Sequence, residues 1–253
     1  MDLGLTGMRV ILTGGSRGIG RAALELFAAE GCDVAFFSRR QEQVDAAVAG
    51  LQAHGHRVHG SIFDMNAGEA AYADWLARAA DTLGGCDIFV PGASSSGSQL
   101  TGDWEKTVAF DLMGTVRGCE ALEGALAASG HGSVVMMSST AAVETFLVPQ
   151  AFNAVKAAVL TYAKQLSQAW GPKGIRVNAV SPGPIAFPTG NWEMIEGAMP
   201  ELYAATKAQF ALGRFGAPED VARTIVFLAS PASAYTTGTN VVVDGGYTRR
   251  VQF

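Results

Sequence analysis

Apolar residues along this chain follow two alternating patterns. Short, nearly continuous apolar runs at 8–12, 32–37, 58–63, 86–90, 132–139, 175–180 and 238–243 predict strands buried on both faces. Between them the period changes. Ile19, Ala22, Ala23, Leu26 and Phe27 fall at i, i+3, i+4, i+7 and i+8, one face of a helix. Residues 41–53 keep helical spacing, and 67–83 predict a helix capped by Asp64 or Asn66. Residues 103–128 read as one long helix with Trp104, Val108, Leu112, Val116, Leu122 and Leu126 on one side; further helices start near Phe152 and within 212–222. Strands alternating with helices predict an α/β fold, a doubly wound parallel sheet of about seven strands with helices on both faces. No linker, repeat or low-complexity tract interrupts residues 1–253, which predicts a single domain.

The first strand and first helix are joined by Thr13-Gly14-Gly15-Ser16-Arg17-Gly18-Ile19-Gly20. Glycines let the backbone approach a ligand closely, and a helix N-terminus aims free N–H groups and partial positive charge at it. A pyrophosphate suits that place. In such an architecture the end of the second strand meets an adenosine ribose, where an acidic residue accepts from both hydroxyls. Here the residues are neutral Ser38 and cationic Arg39 and Arg40, which suit a 2′-phosphate and favour NADP(H) over NAD(H). Arg17 adds charge from the glycine turn.

Hydrophobic residues make up 49% of the 253 and charged residues 16%, enough for a sizeable core. The net charge of −5 argues against a nucleic-acid surface. No apolar run approaches the roughly 20 residues of a membrane span, and residues 1–7 lack the basic and apolar regions of a secretory signal. The expectation is a cytoplasmic protein. Cys32, Cys86 and Cys119 show no metal or redox spacing and fit buried thiols in a reducing compartment. His54, His56 and His59 lie in a polar loop and a strand start with no acid or cysteine close by in sequence, so no metal is expected.

The Gly-x-x-x-Gly-x-Gly turn behind a threonine, with Ser139, Lys156 and the Ser181-Pro182-Gly183-Pro184-Ile185 segment in order, resembles the short-chain dehydrogenase/reductase family. The resemblance covers about residues 5–247. It implies a Rossmann-like sheet, a nicotinamide cofactor and a small-molecule substrate. It places Gly14, Ser16, Arg17, Gly18, Ile19 and Gly20 at the pyrophosphate, and Asp64 and Met65 at the adenine. Pro91, Gly92 and Ala93 fall beside the nicotinamide, with Pro182, Gly183 and Ile185 against its amide. Lys156 falls at the nicotinamide ribose and Ser139 at the substrate oxygen. A lid over about 187–212 is implied, and so is pairing of two long helices across a two-fold axis into a homotetramer or homodimer.

Four departures from the family pattern stand out. The catalytic tyrosine, four residues before the lysine, is replaced by Phe152, which has no exchangeable proton. The Asn-Asn-Ala-Gly segment after the fourth strand is replaced by Pro91-Gly92-Ala93-Ser94, followed by Ser95, Ser96 and Gly97. The mid-helix asparagine that holds a water for proton relay is replaced by Asp111, which can hold a water but adds a negative charge if ionised. A phosphate-contacting threonine is replaced by Phe187, with Thr189 nearby. The candidate catalytic set is therefore Ser139, Lys156, Asp111 and the altered position Phe152. Ser94, Glu144, Phe187 and Tyr203 are the substrate-side candidates, in a pocket whose Ala, Val, Phe and Leu content suggests an apolar or aromatic ligand. Three readings follow. The chain is an NADP(H)-dependent oxidoreductase with a relocated proton donor (Ser139, Lys156, Asp111, Glu144 or Tyr203). It is a non-redox enzyme or cofactor-binding protein on the same fold. Or it is a Tyr-to-Phe variant that traps a complex.

Overall fold

Seven strands form a parallel sheet in the order β3-β2-β1-β4-β5-β6-β7, its inner strands buried and its two edge strands partly exposed. The computed structural model describes residues 2–95, 103–145 and 149–251. The strands are β1 (Arg9–Leu12), β2 (Asp33–Ser38), β3 (Val58–Ile62), β4 (Ile88–Val90), β5 (Ser133–Met137), β6 (Arg176–Pro182) and β7 (Asn240–Val243). Strand side chains alternate between two cores because the strand period is two. Val10, Leu12, Val34 and Phe36 enter one core with α1 (Gly18–Ala29), α2 (Gln41–Gln52) and α9 (Pro218–Ala229). Ile11, Ala35 and Phe37 enter the other, with α3 (Glu69–Leu83), α5 (Gly114–Ala128) and α6 (Ala151–Trp170).

The chain runs outward from β1 to β3, then returns to place β4 on the other side of β1. That reversal opens a crevice at the carboxyl ends of β1 and β4, the place where this architecture binds ligands. Thr13 closes the floor of the crevice. Its N–H donates to the Val90 carbonyl at 3.1 Å, and its hydroxyl accepts from the N–H groups of Gly92 and Ala93, both at 3.0 Å. Backbone amides thus brace the turn where the family pattern carries side-chain amides.

Two expectations need correction. The helix expected over 67–83 begins at Glu69, and Asp64 instead caps a separate 3₁₀ turn, Met65–Ala67, by accepting from Asn66 N–H at 2.9 Å. The long helix expected over 103–128 is three pieces: α4 (Trp104–Thr107), a π turn at Val108–Met113, and α5. The π register rotates the apolar stripe, so Trp104 and Val108 are exposed while Leu122 and Leu126 are buried. The lid segment folds as two short helices, α7 (Asn191–Ala198) and α8 (Pro200–Lys207).

All three cysteines are free and buried, and desolvation pushes the Cys32 thiol up to about 12. Among the described residues no helix is long and apolar enough to cross a membrane.

Arg176 ties the sheet to the end of α9. Its guanidinium donates to the carbonyls of Leu228, Ala229 and Ser230 at 2.6, 2.8 and 3.0 Å, which a helix C-terminus otherwise leaves without partners. Arg176→Met removes these donors, and we expect it to lower unfolding free energy by about 1–3 kcal/mol. Urea denaturation checks this, and an unchanged midpoint contradicts it.

Candidate active site

The first helix starts where the glycine turn allows it. Gly14 and Gly18 have φ of +79° and +57°, a region open to glycine and costly for other residues. Residues 14–17 therefore curl under the N-terminus of α1. Arg17, in extended conformation before the first helical turn, donates to the Thr189 carbonyl at 3.1 Å. The Phe187 ring packs over Gly18, where even a methyl group fits too tightly. Residues 187–189 are thus docked on the glycine turn.

At the end of β2 a small polar network forms. The Ser38 hydroxyl donates to Ser16 Oγ at 2.9 Å, and the Gln43 side-chain amide lies 3.0 Å from Ser38 Oγ and 3.3 Å from Ser16 Oγ. Arg39 projects beside this network into the cavity. Arg40 does not line the cavity and pairs with Glu42 at 3.6 Å. His54 lies 3.2 Å from Glu25, and among the described residues no cluster suited to a metal ion forms.

The opposite end is built from four separate elements. Ser138 and Ser139 leave the tip of β5. The Ser138 hydroxyl donates to the Lys156 carbonyl at 3.0 Å, which fixes α6 against the strand. Ser139 Oγ accepts from the Ala141 N–H at 3.1 Å, so its own O–H is available to a ligand. On α6, Phe152 and Lys156 are one turn apart, and the Lys156 ammonium sits 5.5 Å from the centre of the Phe152 ring. The π turn supplies the third element, and the turn after β4, with Ser94 and Ser95, the fourth. The π turn brings Asp111 inward until its carboxylate lies 3.0 Å from Lys156 Nζ, with both side chains almost completely buried.

The carboxylate is saturated by donors. The Ser94 hydroxyl and Lys156 reach Oδ1, while the Ser95 N–H and hydroxyl reach Oδ2 at 2.8 and 2.9 Å. Lys156 also donates to the Met137 carbonyl at 2.9 Å. A buried charge is tolerated when it is paired and hydrogen-bonded in this way. Three of the departures from the family pattern, Ser94, Asp111 and Phe152, thus meet at one lysine.

A cavity of about 500 Å³ joins the two ends along the carboxyl edge of the sheet. Gly14, Ser16, Arg17, Gly18, Ile19, Gly20, Ser38, Arg39, Asp64 and Met65 line the first part. Gly92, Ala93, Ser94, Ser139, Phe152, Lys156, Pro182, Gly183, Ile185 and Phe187 line the rest. Pro91 is not among the lining residues, and Asp111 sits behind the wall, reaching the cavity through Lys156 and Ser94. Glu144 and Tyr203 also fall outside the lining: Glu144 is exposed, and Tyr203 stacks on Phe215 with ring centres 4.5 Å apart. Ser96 and Gly97 lie outside the described residues.

Sequence reasoning missed Gln43, Asn153, Trp192 and Tyr247, all of which line the cavity. Tyr247 follows the Asp244-Gly245-Gly246 turn, and its position there is the one available signal. Its phenol is pushed above its usual range by burial and by the charge of Glu144.

Comparison with known proteins agrees with this arrangement. The family profile described as enoyl-(acyl carrier protein) reductase matches residues 14–248. Isoepoxydon dehydrogenase of Aspergillus clavatus is 37% identical over 98% of both chains, and that of Penicillium expansum 36% identical over 100% of this chain and 99% of the relative. The chain belongs to the short-chain dehydrogenase/reductase family. Among solved structures, L-sorbose reductase from Gluconobacter frateurii, crystallised with NADPH and L-sorbose, superposes with a TM-score of 0.90 at 28% identity, covering 99% of this chain and all of that one. Membership makes this short-chain dehydrogenase/reductase an oxidoreductase by type.

Removing one partner of a buried ion pair leaves the other charge uncompensated. Asp111→Ala is therefore expected to cost about 3–5 kcal/mol of folding stability, far more than an exposed Asp→Ala change. Chemical denaturation checks this, and a loss under about 1 kcal/mol, the range of exposed pairs, contradicts it.

Proposed function

We propose that the protein is an NADP(H)-dependent oxidoreductase acting on a small apolar or aromatic carbonyl or alcohol, or an activated C=C, with a proton donor other than tyrosine. The observation that carries this reading is the single cavity linking the helix N-terminus and Arg39 to Ser139 and Lys156. The residues fit the cofactor. The glycine turn lies on the cavity at the N-terminus of α1, where free backbone N–H groups suit a pyrophosphate, and Arg17 and Arg39 bring positive charge to the same half. The end of β2 carries Ser38, whose hydroxyl is already engaged with Ser16 and Gln43, where a carboxylate would repel a 2′-phosphate. The NADPH complex of the sorbose reductase supports the same choice.

Bound NADPH supplies a hydride. The protein's own groups do the rest. Ser139 has a free O–H for the substrate oxygen, and Lys156 stands beside it with its charge balanced by Asp111. Met137, Phe152, Phe187 and Trp192 give the substrate end a largely apolar wall, which supports an apolar or aromatic ligand. The similarity to isoepoxydon dehydrogenases supports a carbonyl or alcohol substrate. Residues 187–212 act as the substrate lid.

We further infer a homotetramer or homodimer, because Trp104 and Val108 leave apolar surface exposed at the start of the α4–α5 helix. Light scattering at micromolar concentration is expected to give the mass of an oligomer, and a monomer contradicts it. The buried free thiols support a cytoplasmic location.

A second reading, a cofactor-holding protein without redox turnover, is favoured by one observation: Phe152 brings no proton, and Lys156 is occupied by Asp111. Incubation with NADPH and a panel of carbonyls and enones separates the two readings through loss of nicotinamide absorbance.

Two outcomes are expected. NADPH binds more tightly than NADH, and Arg39→Ala removes about tenfold to a hundredfold of that preference, the worth of one charge-assisted hydrogen bond. Arg40→Ala has a smaller effect, since Arg40 points out of the cavity. Fluorescence titration checks this, and equal affinities in the unmodified protein contradict it. Phe152→Tyr restores little carbonyl reduction, because Asp111 already holds the lysine that a tyrosine needs. A gain of about 10²–10⁴, the usual worth of a general acid, would instead mean that the site is disabled at this position alone.

A further inference from the structure

We propose that Lys156 itself is the proton donor of this site, with Asp111 as the residue that positions it, an inference that rests on the oxidoreductase reading above. An ammonium has three N–H donors. One is spent on the Met137 carbonyl at 2.9 Å, and the ammonium pairs with Asp111 Oδ1 at 3.0 Å. Among the described residues it has no further hydrogen-bond acceptor, and Lys156 lines the same cavity as Ser139. Phe152 offers the ammonium a ring face at 5.5 Å and competes for no proton.

The other acids along the cavity are placed less well. Lys106 is exposed and lies over the Phe110 ring. Tyr247 packs on the Phe210 ring, and no hydrogen bond joins it to Ser139 or Lys156 among the described residues. The Ser94, Ser95 and Ser139 hydroxyls can pass a proton along but have little tendency to supply one.

The step is simple. Hydride transfer from NADPH to the carbonyl carbon reduces the substrate, oxidises the nicotinamide and leaves an alkoxide. One N–H bond of Lys156 breaks, its electron pair stays on Nζ, and an O–H bond forms on that oxygen. The neutral amine regains a proton from solvent before the next turnover. Ser139 donates a hydrogen bond to the same oxygen. The Asp111 carboxylate holds the ammonium in place through the ion pair at 3.0 Å. Ser94 and Ser95 hold that carboxylate in place through both of its oxygens.

The test has two arms. In the protein without cofactor, NMR of ¹⁵N-labelled lysine is expected to show one ammonium signal protected from exchange, absent in Lys156→Arg and lost in Asp111→Asn. A signal unaffected by Asp111→Asn overturns the positioning role. In turnover at saturating NADPH, Lys156→Ala is expected to lose about 10²–10⁴ in kcat. Ethylammonium then restores activity with increasing concentration, while tetramethylammonium, which has no N–H, does not. If Lys156→Ala binds NADPH but is not rescued, or if Lys156→Arg retains the full kcat, Lys156 is not the donor. An unmodified protein that binds NADPH yet reduces no carbonyl or enone overturns the oxidoreductase reading, and this inference with it. Activity without rescue overturns this inference alone.

Discussion

One buried ion pair organises the catalytic end of this protein. Asp111 and Lys156 are almost free of solvent and meet at 3.0 Å. Neither charge is tolerable there alone. The carboxylate accepts from Ser94 and Ser95, and one N–H of the lysine is taken by the Met137 carbonyl. Four chain segments are therefore tied together: the turn after β4, the π turn, the tip of β5 and helix α6. The π turn is what makes the contact. It inserts one residue into the helical register and brings Asp111 to the inner side, while Thr115 caps the Asp111 carbonyl at 2.8 Å.

Set in this network, Phe152 is one of a group of replacements that fit each other. A hydroxyl at Ser94, a carboxylate at Asp111 and a bare ring at Phe152 all act on the same ammonium. The cofactor half keeps the family's logic, with glycines where the backbone has to turn and cations where phosphates are expected. The reacting half has been rebuilt around a charge pair.

Much of the fold was legible because strands and helices write different periods into the sequence. The seven runs and the helices between them follow from apolar spacing, and the glycine turn from its place between β1 and α1. The π turn was not legible: nothing in Phe110-Asp111-Leu112-Met113 distinguishes it from ordinary helix, so 103–128 read as continuous. Asp111 was singled out as chemistry, but its pairing with Lys156 is a long-range contact that no local pattern encodes. Glu144 and Tyr203 were chosen for their chemical type, and the orientation of their segments turns them away from the cavity. Gln43 and Tyr247 were overlooked for the converse reason: one lies in the first turn of a surface helix, the other past the last strand, and only tertiary folding brings them to the cavity wall.

The measurement that bears most directly on this account is a double-mutant cycle on folding stability at positions 111 and 156. Asp111→Ala and Lys156→Met, alone and together, are compared by chemical denaturation. If the buried pair organises the site, each single change leaves an unpartnered charge or donor set, and the double variant is hardly worse than either. The coupling is then about as large as either single loss, about 3–5 kcal/mol. Additive losses would mean that the two side chains do not depend on each other, and the account of the catalytic end would fail.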